Sequence, residues 1–328
     1  MRRRGLITGL AGGLGICGAA AAASRRPEAS VPPGLPSPLP LPPPLRPGSR
    51  LVAVAPGTWW ENAEQEAREL QRRCGEAGWS LEVPAAATGR WRWFSGADAS
   101  RRAQLERAWA DPATDAVLCV AGGWGSARIL EAGWRPGDRP LWLVGFSDPS
   151  ALLLAQVRAG VGGAVHASTG GDPAQWQRLV RLLRGEPLPP LAGEAWVAGV
   201  ATGPLVVTNL TVATALIGTP WFPSLRGCVL VLEDVGEAPY RVDRMLTQWR
   251  SAGLLKQVAG IGVGRFSWRP DDVLPGDLGL DEVLRDRLGD LGVPVVGRLP
   301  VGHGRPNLAL PLGRLARLDG SGGQLALL

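Results

Sequence analysis

The feature that most constrains this chain is a set of short, unbroken apolar runs, each ending at glycine or proline and most followed by helical periodicity. Leu51–Ala55 stops at Pro56-Gly57. Ala116–Val120 runs into Gly122-Gly123-Trp124-Gly125, and Pro140–Val144 runs into Gly145-Phe146-Ser147-Asp148-Pro149. Strands apolar at every position must be covered on both faces, and a parallel sheet fed by crossover helices covers them. Helices are expected over Glu61–Ala77, Ala99–Ala110, Ser126–Ala132 and Pro149–Arg158, with a further strand at Ser80–Val83. The fold class is α/β: an N-terminal parallel-sheet domain, flavodoxin- or amidotransferase-like, followed by a mixed α/β C-terminal domain. In the latter, strands are expected near Gly203–Thr208, Cys228–Leu232, Val258–Val263 and Val293–Leu299, and helices near Arg241–Ser251 and Leu280–Leu288. Such sheets bind ligands outside the carboxyl ends of their strands, which is where the unusual residues of this chain gather.

Before this body lie two segments of other character. Met1–Arg4 is basic, Gly5–Ala23 is small and weakly apolar, and Ala-Ala-Ala-Ser offers a cleavage point, the layout of an export signal over residues 1–23. Residues 24–49 are a proline-rich linker, with nine prolines between Val31 and Ser49, a composition that suits an extended spacer. The folded body is expected to begin at about Arg50. Its nucleophile domain would span 50–166, an inter-domain connection 167–194, and the C-terminal domain 195–328. The protein is therefore expected to be exported to the periplasm or envelope, with the cytoplasm as the alternative and no membrane span in the mature chain.

Composition removes several function classes. At 328 residues, 45% hydrophobic and 20% charged, the chain can bury a full core without staples. The net charge is +6, but three of those charges are Arg2, Arg3 and Arg4, and no basic block with interleaved aromatics follows. No nucleic-acid partner is expected. Cys17, Cys74, Cys119 and Cys228 include no CxxC pair, so neither a metal nor a redox cofactor is expected. The Gly122–Gly125 loop lacks the GK[ST] ending of a P-loop.

Three places carry possible chemistry. Ser147 sits between a strand and a helix, where a serine is exposed and backbone N–H groups can receive an oxyanion. Position 149 is Pro, so the same residues also read as a helix cap, Ser147 or Asp148 before Pro149. Glu233 and Asp234 end a buried strand, either as an orienting acid or as a solvated strand end. A histidine base must be His166 or His303, the only two histidines.

Together these segments have a family likeness. The chain resembles the LD-carboxypeptidases, which include muropeptide tetrapeptidases and a microcin-immunity branch. The matching segments run in the family's order over about residues 50–325: Gly122-Gly123-Trp124-Gly125-Ser126-Ala127-Arg128; Val144-Gly-Phe-Ser147-Asp148 with Ala151-Leu152; Asn209-Leu-Thr-Val and Gly218-Thr-Pro; Leu232-Glu233-Asp234-Val-Gly-Glu237 with Pro239-Tyr240-Arg241-Val-Asp243-Arg244-Met245-Leu246; and Gly302-His303-Gly304 with Asn307 and Pro311-Leu-Gly313. The resemblance implies Ser147 as nucleophile, His303 as base and Glu233 as the acid that holds it. Gly122 or Gly123 and the N–H of Asp148 would form the oxyanion hole. It implies a site in the cleft between the two domains, a homodimer, and hydrolysis of the L-D amide of murein tetrapeptides with release of D-alanine. The chain departs from the family pattern at Ala121, at Val207-Thr208 before Asn209, and at Ala167-Ser168 after His166, which bears on substrate preference. A catalytically quiet wall-peptide-binding protein and a peptidyl-nucleotide-cleaving immunity-type peptidase are the other readings.

Overall fold

The computed structural model describes Leu35 and residues 38–269 and 276–328. The export-signal reading, Cys17 and most of the proline-rich segment before residue 38 lie outside the described residues.

In chain order the elements are β1 (Arg50–Val54), α1 (Ala63–Glu76), β2 (Ser80–Glu82), α2 (Asp98–Ala110), β3 (Ala116–Cys119), α3 (Ser126–Glu131), β4 (Trp142–Gly145), α4 (Ser150–Arg158), β5 (Ala164–His166) and α5 (Pro173–Leu183). There follow β6 (Leu191–Ala192), β7 (Glu194–Val197), β8 (Val200–Asn209), α6 (Leu210–Leu216), β9 (Val229–Val235), α7 (Pro239–Ser251), β10 (Gly260–Ser267), α8 (Leu280–Leu288), β11 (Val295–Gly297), β12 (Leu310–Pro311), β13 (Leu315–Asp319) and β14 (Gln324–Leu327).

The first sheet has the order β12-β5-β4-β3-β1-β2, parallel except for β12 at its edge. The order 2-1-3-4-5 is that of the flavodoxin-like doubly wound sheet, whose strand order reverses between β1 and β3. The carboxyl ends of β1, β3 and β4 there release Gly57-Thr58, the Gly122–Gly125 loop and Ser147. β3 and β4 are buried at every residue, as their uninterrupted apolar sequence requires.

The second sheet has the order β6-β14-β13-β8-β9-β10-β11-β7. Its β8, β9, β10 and β11 are mutually parallel, and the remaining pairings are antiparallel. Pairing of Asn209 with Glu233 sets the register at the carboxyl end of β9. This sheet begins at β6, earlier than residue 195.

Helix α4 joins the two halves. Residues 150–157 are all buried, the pattern of a helix enclosed on every side, and α4 packs on β5, α3, α6 and β8. One apolar cluster runs from Val54, Val117 and Leu152 through Val206 and Leu230 to Val296. The chain also returns from the second sheet to pair β12 with β5, Leu310 opposite His166.

The folded body begins before Arg50. Leu39 and Leu45 are buried, Leu45 N–H donates to Leu183 O at 2.8 Å, and Trp142 Nε1 donates to Pro43 O at 2.9 Å. Prolines keep this strip extended, and leucines between them find apolar seats. No helix among the described residues is long and apolar enough to cross a membrane.

Candidate active site

Ser147 follows β4 on a turn closed by Ser150 N–H donating to Ser147 O at 2.9 Å. Its φ is +64°, a left-handed conformation that costs a non-glycine residue of order 1 kcal/mol or more. A serine held this way, half-buried at a strand-to-helix corner, projects its hydroxyl past the sheet edge. Neither Ser147 nor Asp148 caps the helix that follows. The N-cap of α4 is Pro149, and no side chain bonds to that end.

The Asp148 side chain has turned to the neighbouring loop instead. Its Oδ1 accepts Gly125 N–H at 3.1 Å and its Oδ2 accepts Ser126 N–H at 2.9 Å. The carboxylate thus holds the first amides of α3. Burial pushes the Asp148 pKa above the ordinary aspartate value, and these donors oppose that rise.

The loop is fixed from its other side by Thr58. Thr58 N–H donates to Gly122 O at 2.9 Å, and Trp124 N–H donates to Thr58 Oγ1 at 3.2 Å. A methyl group on Gly122 would lie 3.2 Å from Ser147 Cβ and 3.3 Å from its Oγ, so the absence of a side chain lets the loop approach the serine. Among the described residues, the N–H groups of Gly122, Gly123 and Asp148 have no intramolecular acceptor. Backbone donors of this kind, left without a partner at a strand-to-helix turn, are able to receive an oxyanion.

His303 comes from the second sheet, in the loop after β11. Glu233 at the end of β9 is fully buried, and its Oε2 accepts His303 N–H at 3.2 Å and lies 2.7 Å from His303 Nδ1. A carboxylate acceptor at that distance places the proton on Nδ1 and leaves the Nε2 lone pair outward. Gly302, at φ +105°, permits this, since a Cβ there would lie 2.6 Å from Glu233 Cβ. Asn307 Oδ1 accepts Gly302 N–H at 2.9 Å and closes the loop. Asp234 plays a different part. It is buried and accepts from Asn209 Nδ2, Thr211 N–H and Thr211 Oγ1 at 2.7–2.9 Å. Glu233 and Asp234 are thus not a solvated strand end.

Phe146 brings the halves together. Its ring is 4.3 Å from the His303 ring and 5.3 Å from His166, so the residue before Ser147 touches the imidazole of the second sheet. Gly122 approaches the Ser147 turn, Glu233 holds His303, and Phe146 links the two groups. Sequence reasoning missed Thr58 and Phe146. The only signal for Thr58 was its place after Pro56-Gly57, at the reversal point of the sheet.

His166 is the histidine left aside. It is fully buried on β5, and burial lowers its pKa to about 4, so it is neutral at pH 7. The folded chain therefore binds fewer protons than the unfolded one between pH 4 and 6.5. Stability should rise with pH across that window, by about 3 kcal/mol for this group alone. In urea unfolding between pH 4 and 7, His166→Leu is expected to remove about 1 kcal/mol per pH unit from the slope.

Cys74, Cys119 and Cys228 are buried free thiols, and burial pushes Cys74 and Cys228 to about 12. No three His, Cys, Asp or Glu side chains converge as metal ligands among the described residues. A cavity of about 740 Å³ opens beside His303, lined also by Arg265, Phe266, Trp268 and Arg298.

Residues 50–167 match the LD-carboxypeptidase N-terminal domain, and residues 202–318 match the LD-carboxypeptidase C-terminal domain. The chain belongs to the LD-carboxypeptidase family. It is a carboxypeptidase, a hydrolase. A Synechocystis sp. protein provisionally named a carboxypeptidase is 43% identical over 90% of this chain and 99% of its own length. The murein tetrapeptide carboxypeptidase of Pseudomonas aeruginosa is 32% identical, over 71% of this chain and 81% of its own. Among solved structures, the muramoyltetrapeptide carboxypeptidase of Oxalobacter formigenes superposes with a TM-score of 0.71 at 25% identity, covering 85% of this chain and 97% of its own. The microcin C7 self-immunity protein shares the fold, with a TM-score of 0.72 at 20% identity, over 88% of this chain and 98% of the neighbour.

Proposed function

We propose that this carboxypeptidase hydrolyses the L-D amide at the end of a murein tetrapeptide, releasing D-alanine, with Ser147, His303 and Glu233 as its catalytic triad. The observation that carries this is the Glu233–His303 pair at 2.7 Å, joined through Phe146 to the turn of Ser147. His303 Nε2 takes the Ser147 proton as Oγ attacks the scissile carbonyl. Glu233 stabilises the imidazolium that forms. The new C–O bond pushes the carbonyl electrons onto oxygen, where the N–H groups of Gly122 or Gly123 and Asp148 receive them. Collapse breaks the C–N bond, and His303 returns the proton to the leaving amine of D-alanine. Water repeats the sequence on the acyl-enzyme and frees the tripeptide.

The substrate ends in a carboxylate. Arg265 lines the cavity that His303 opens on, its guanidinium bonded to Pro306 O, and Arg298 lies beside it, paired with Glu194 and Asp281. The wall also carries Asp281 and Glu282, so its charge is mixed, and Arg265 is the guanidinium placed to meet a free C-terminus. The same reading places the mature protein outside the cytoplasm, in contact with the wall, as the Arg2–Arg4 and Gly5–Ala23 pattern suggests.

The full chain, given a disaccharide tetrapeptide and its all-L counterpart, is expected to release D-alanine from the first and nothing from the second, read by mass spectrometry. Equal cleavage of both would remove the L-D assignment.

A further inference from the structure

The segment Arg90–Phe94 takes no part in the chemistry above, yet it is carefully built. Trp91 N–H donates to Phe94 O at 2.8 Å and Phe94 N–H returns to Trp91 O at 3.0 Å, closing a tight turn. Arg92 at its tip has φ +57°, a strained conformation for arginine. The outcome is that Trp91 is 45% exposed and Trp93 57% exposed, both packed against a buried Phe94. Phe94 stacks on Trp91 at 6.1 Å and meets Trp93 at 5.5 Å.

This turn is rooted in the Gly122–Gly125 loop. Phe94 bridges to Thr58, the residue that holds Gly122 and Trp124. Arg128 of α3 lies 5.5 Å from the Phe94 ring. Trp124 within the loop is itself 48% exposed. Arg92 lies over the Trp91 ring at 5.1 Å and Phe94 stacks on the same indole, which leaves Trp93 as the barer platform; Arg90 sits 4.1 Å from the ring of neighbouring Trp59. Trp91, Trp93 and Trp124 are thus exposed on two segments joined through Thr58 and Phe94, and exposed aromatics grouped in this way suit a ligand.

We propose that this ledge is a saccharide subsite, on which the amino-sugar ring of a murein glycopeptide stacks while its stem peptide reaches Ser147. The proposal rests on the murein reading above and extends it to the glycan. An indole offers a flat apolar face with a polar edge, and a pyranose offers a flat C–H face with hydroxyls at its rim. Guanidiniums held on ring faces turn N–H donors outward, toward hydroxyl and acetamido oxygens. The ledge abuts the loop beside the nucleophile, so its occupant is continuous with the peptide being cut. Three stem residues lie between the sugar and the scissile amide, a span of about 10 Å when extended. Between residues 58 and 126 no large aliphatic side chain is exposed, which disfavours insertion into a bilayer.

The test is binding to the full-chain Ser147→Ala protein, read by tryptophan fluorescence and calorimetry. The probes are a free tetrapeptide, the disaccharide tetrapeptide, and the N-acetylglucosamine disaccharide alone. The glycopeptide is expected to bind at least 10-fold tighter than the free peptide, and that ratio is expected to fall to about one in Trp91→Ala/Trp93→Ala. The disaccharide alone is expected to alter the fluorescence, and less so in the double variant. If it does while the tetrapeptide fails to bind, the subsite stands and the peptide reading falls. Equal affinities for both peptides in the parent, or an unchanged ratio in the folded double variant, would overturn the proposal. So would binding to phosphatidylglycerol vesicles that depends on Trp91 and Trp93, with no saccharide response.

Discussion

Replacing Glu233 by Gln is expected to lower kcat on a disaccharide tetrapeptide by about 10³–10⁴-fold while the protein stays folded. Glu233 is fully buried, and one oxygen receives both the backbone N–H and the Nδ1 of His303. A glutamine fills the same volume, but it can turn an NH₂ toward Nδ1 and stabilise the other imidazole tautomer. The proton would then sit on Nε2, where the Ser147 proton has to go. The imidazolium formed during attack would also lose its counter-charge. Since uncharged glutamine needs no buried ion, the thermal midpoint is expected to change little beside the loss of rate. A fall in kcat of less than 10-fold, measured by D-alanine release, would mean that Glu233 only anchors the His303 loop.

Substitution of Ser147 separates activity from stability. Ser147→Ala is expected to lower kcat by about 10⁴–10⁶-fold, because no other group replaces the attacking oxygen. Ser147→Gly is expected to be equally inactive and more stable than the parent by about 1 kcal/mol. The reason is the φ of +64°, which glycine adopts freely and serine adopts at a cost. Urea unfolding of the three proteins checks this. A glycine variant no more stable than the alanine variant would show that the turn carries no strain.

The legible part of this fold was its parallel core. β1, β3 and β4 are buried on both faces, so each had to be an unbroken apolar run ending at a turn. Helix α8 showed itself by its period and its bounding Gly279 and Gly289. The strands β12, β13 and β14 were not legible. β12 has two residues, one of them proline, and exists because Leu310 meets His166 across the sheet edge. β13 and β14 pair with each other and with β8 through contacts distant in sequence. α6 was missed because its start depends on Asn209, whose Oδ1 accepts Val212 N–H, and on Asp234 from another strand.

The site divides in the same way. Ser147, Glu233 and His303 stand in segments that resemble the family's, so they could be named from sequence. The local pattern at Ser147-Asp148-Pro149 pointed to a helix cap, and only the fold shows that Asp148 reaches across to Gly125 and Ser126. The role of Phe146, contact with a histidine more than 150 residues away, leaves no mark in its own neighbourhood. Apart from the family resemblance, the local sequence left the choice between His166 and His303 open. Burial separates them: His166 is enclosed in β5 with its pKa lowered, whereas His303 remains partly open and is bonded to Glu233.

The most direct measurement is the site of covalent capture. A tetrapeptide analogue carrying a phosphonate ester in place of the scissile amide presents phosphorus to the nucleophile and an oxyanion to its donors. The full chain would be treated with it, digested, and mapped by mass spectrometry beside Ser147→Ala and Glu233→Gln. The expected result is a single adduct on Ser147, absent in Ser147→Ala and formed far more slowly in Glu233→Gln. An adduct on another residue, or equal labelling of the Ser147→Ala protein, would contradict the assignment of Ser147, His303 and Glu233 as the machinery of this carboxypeptidase.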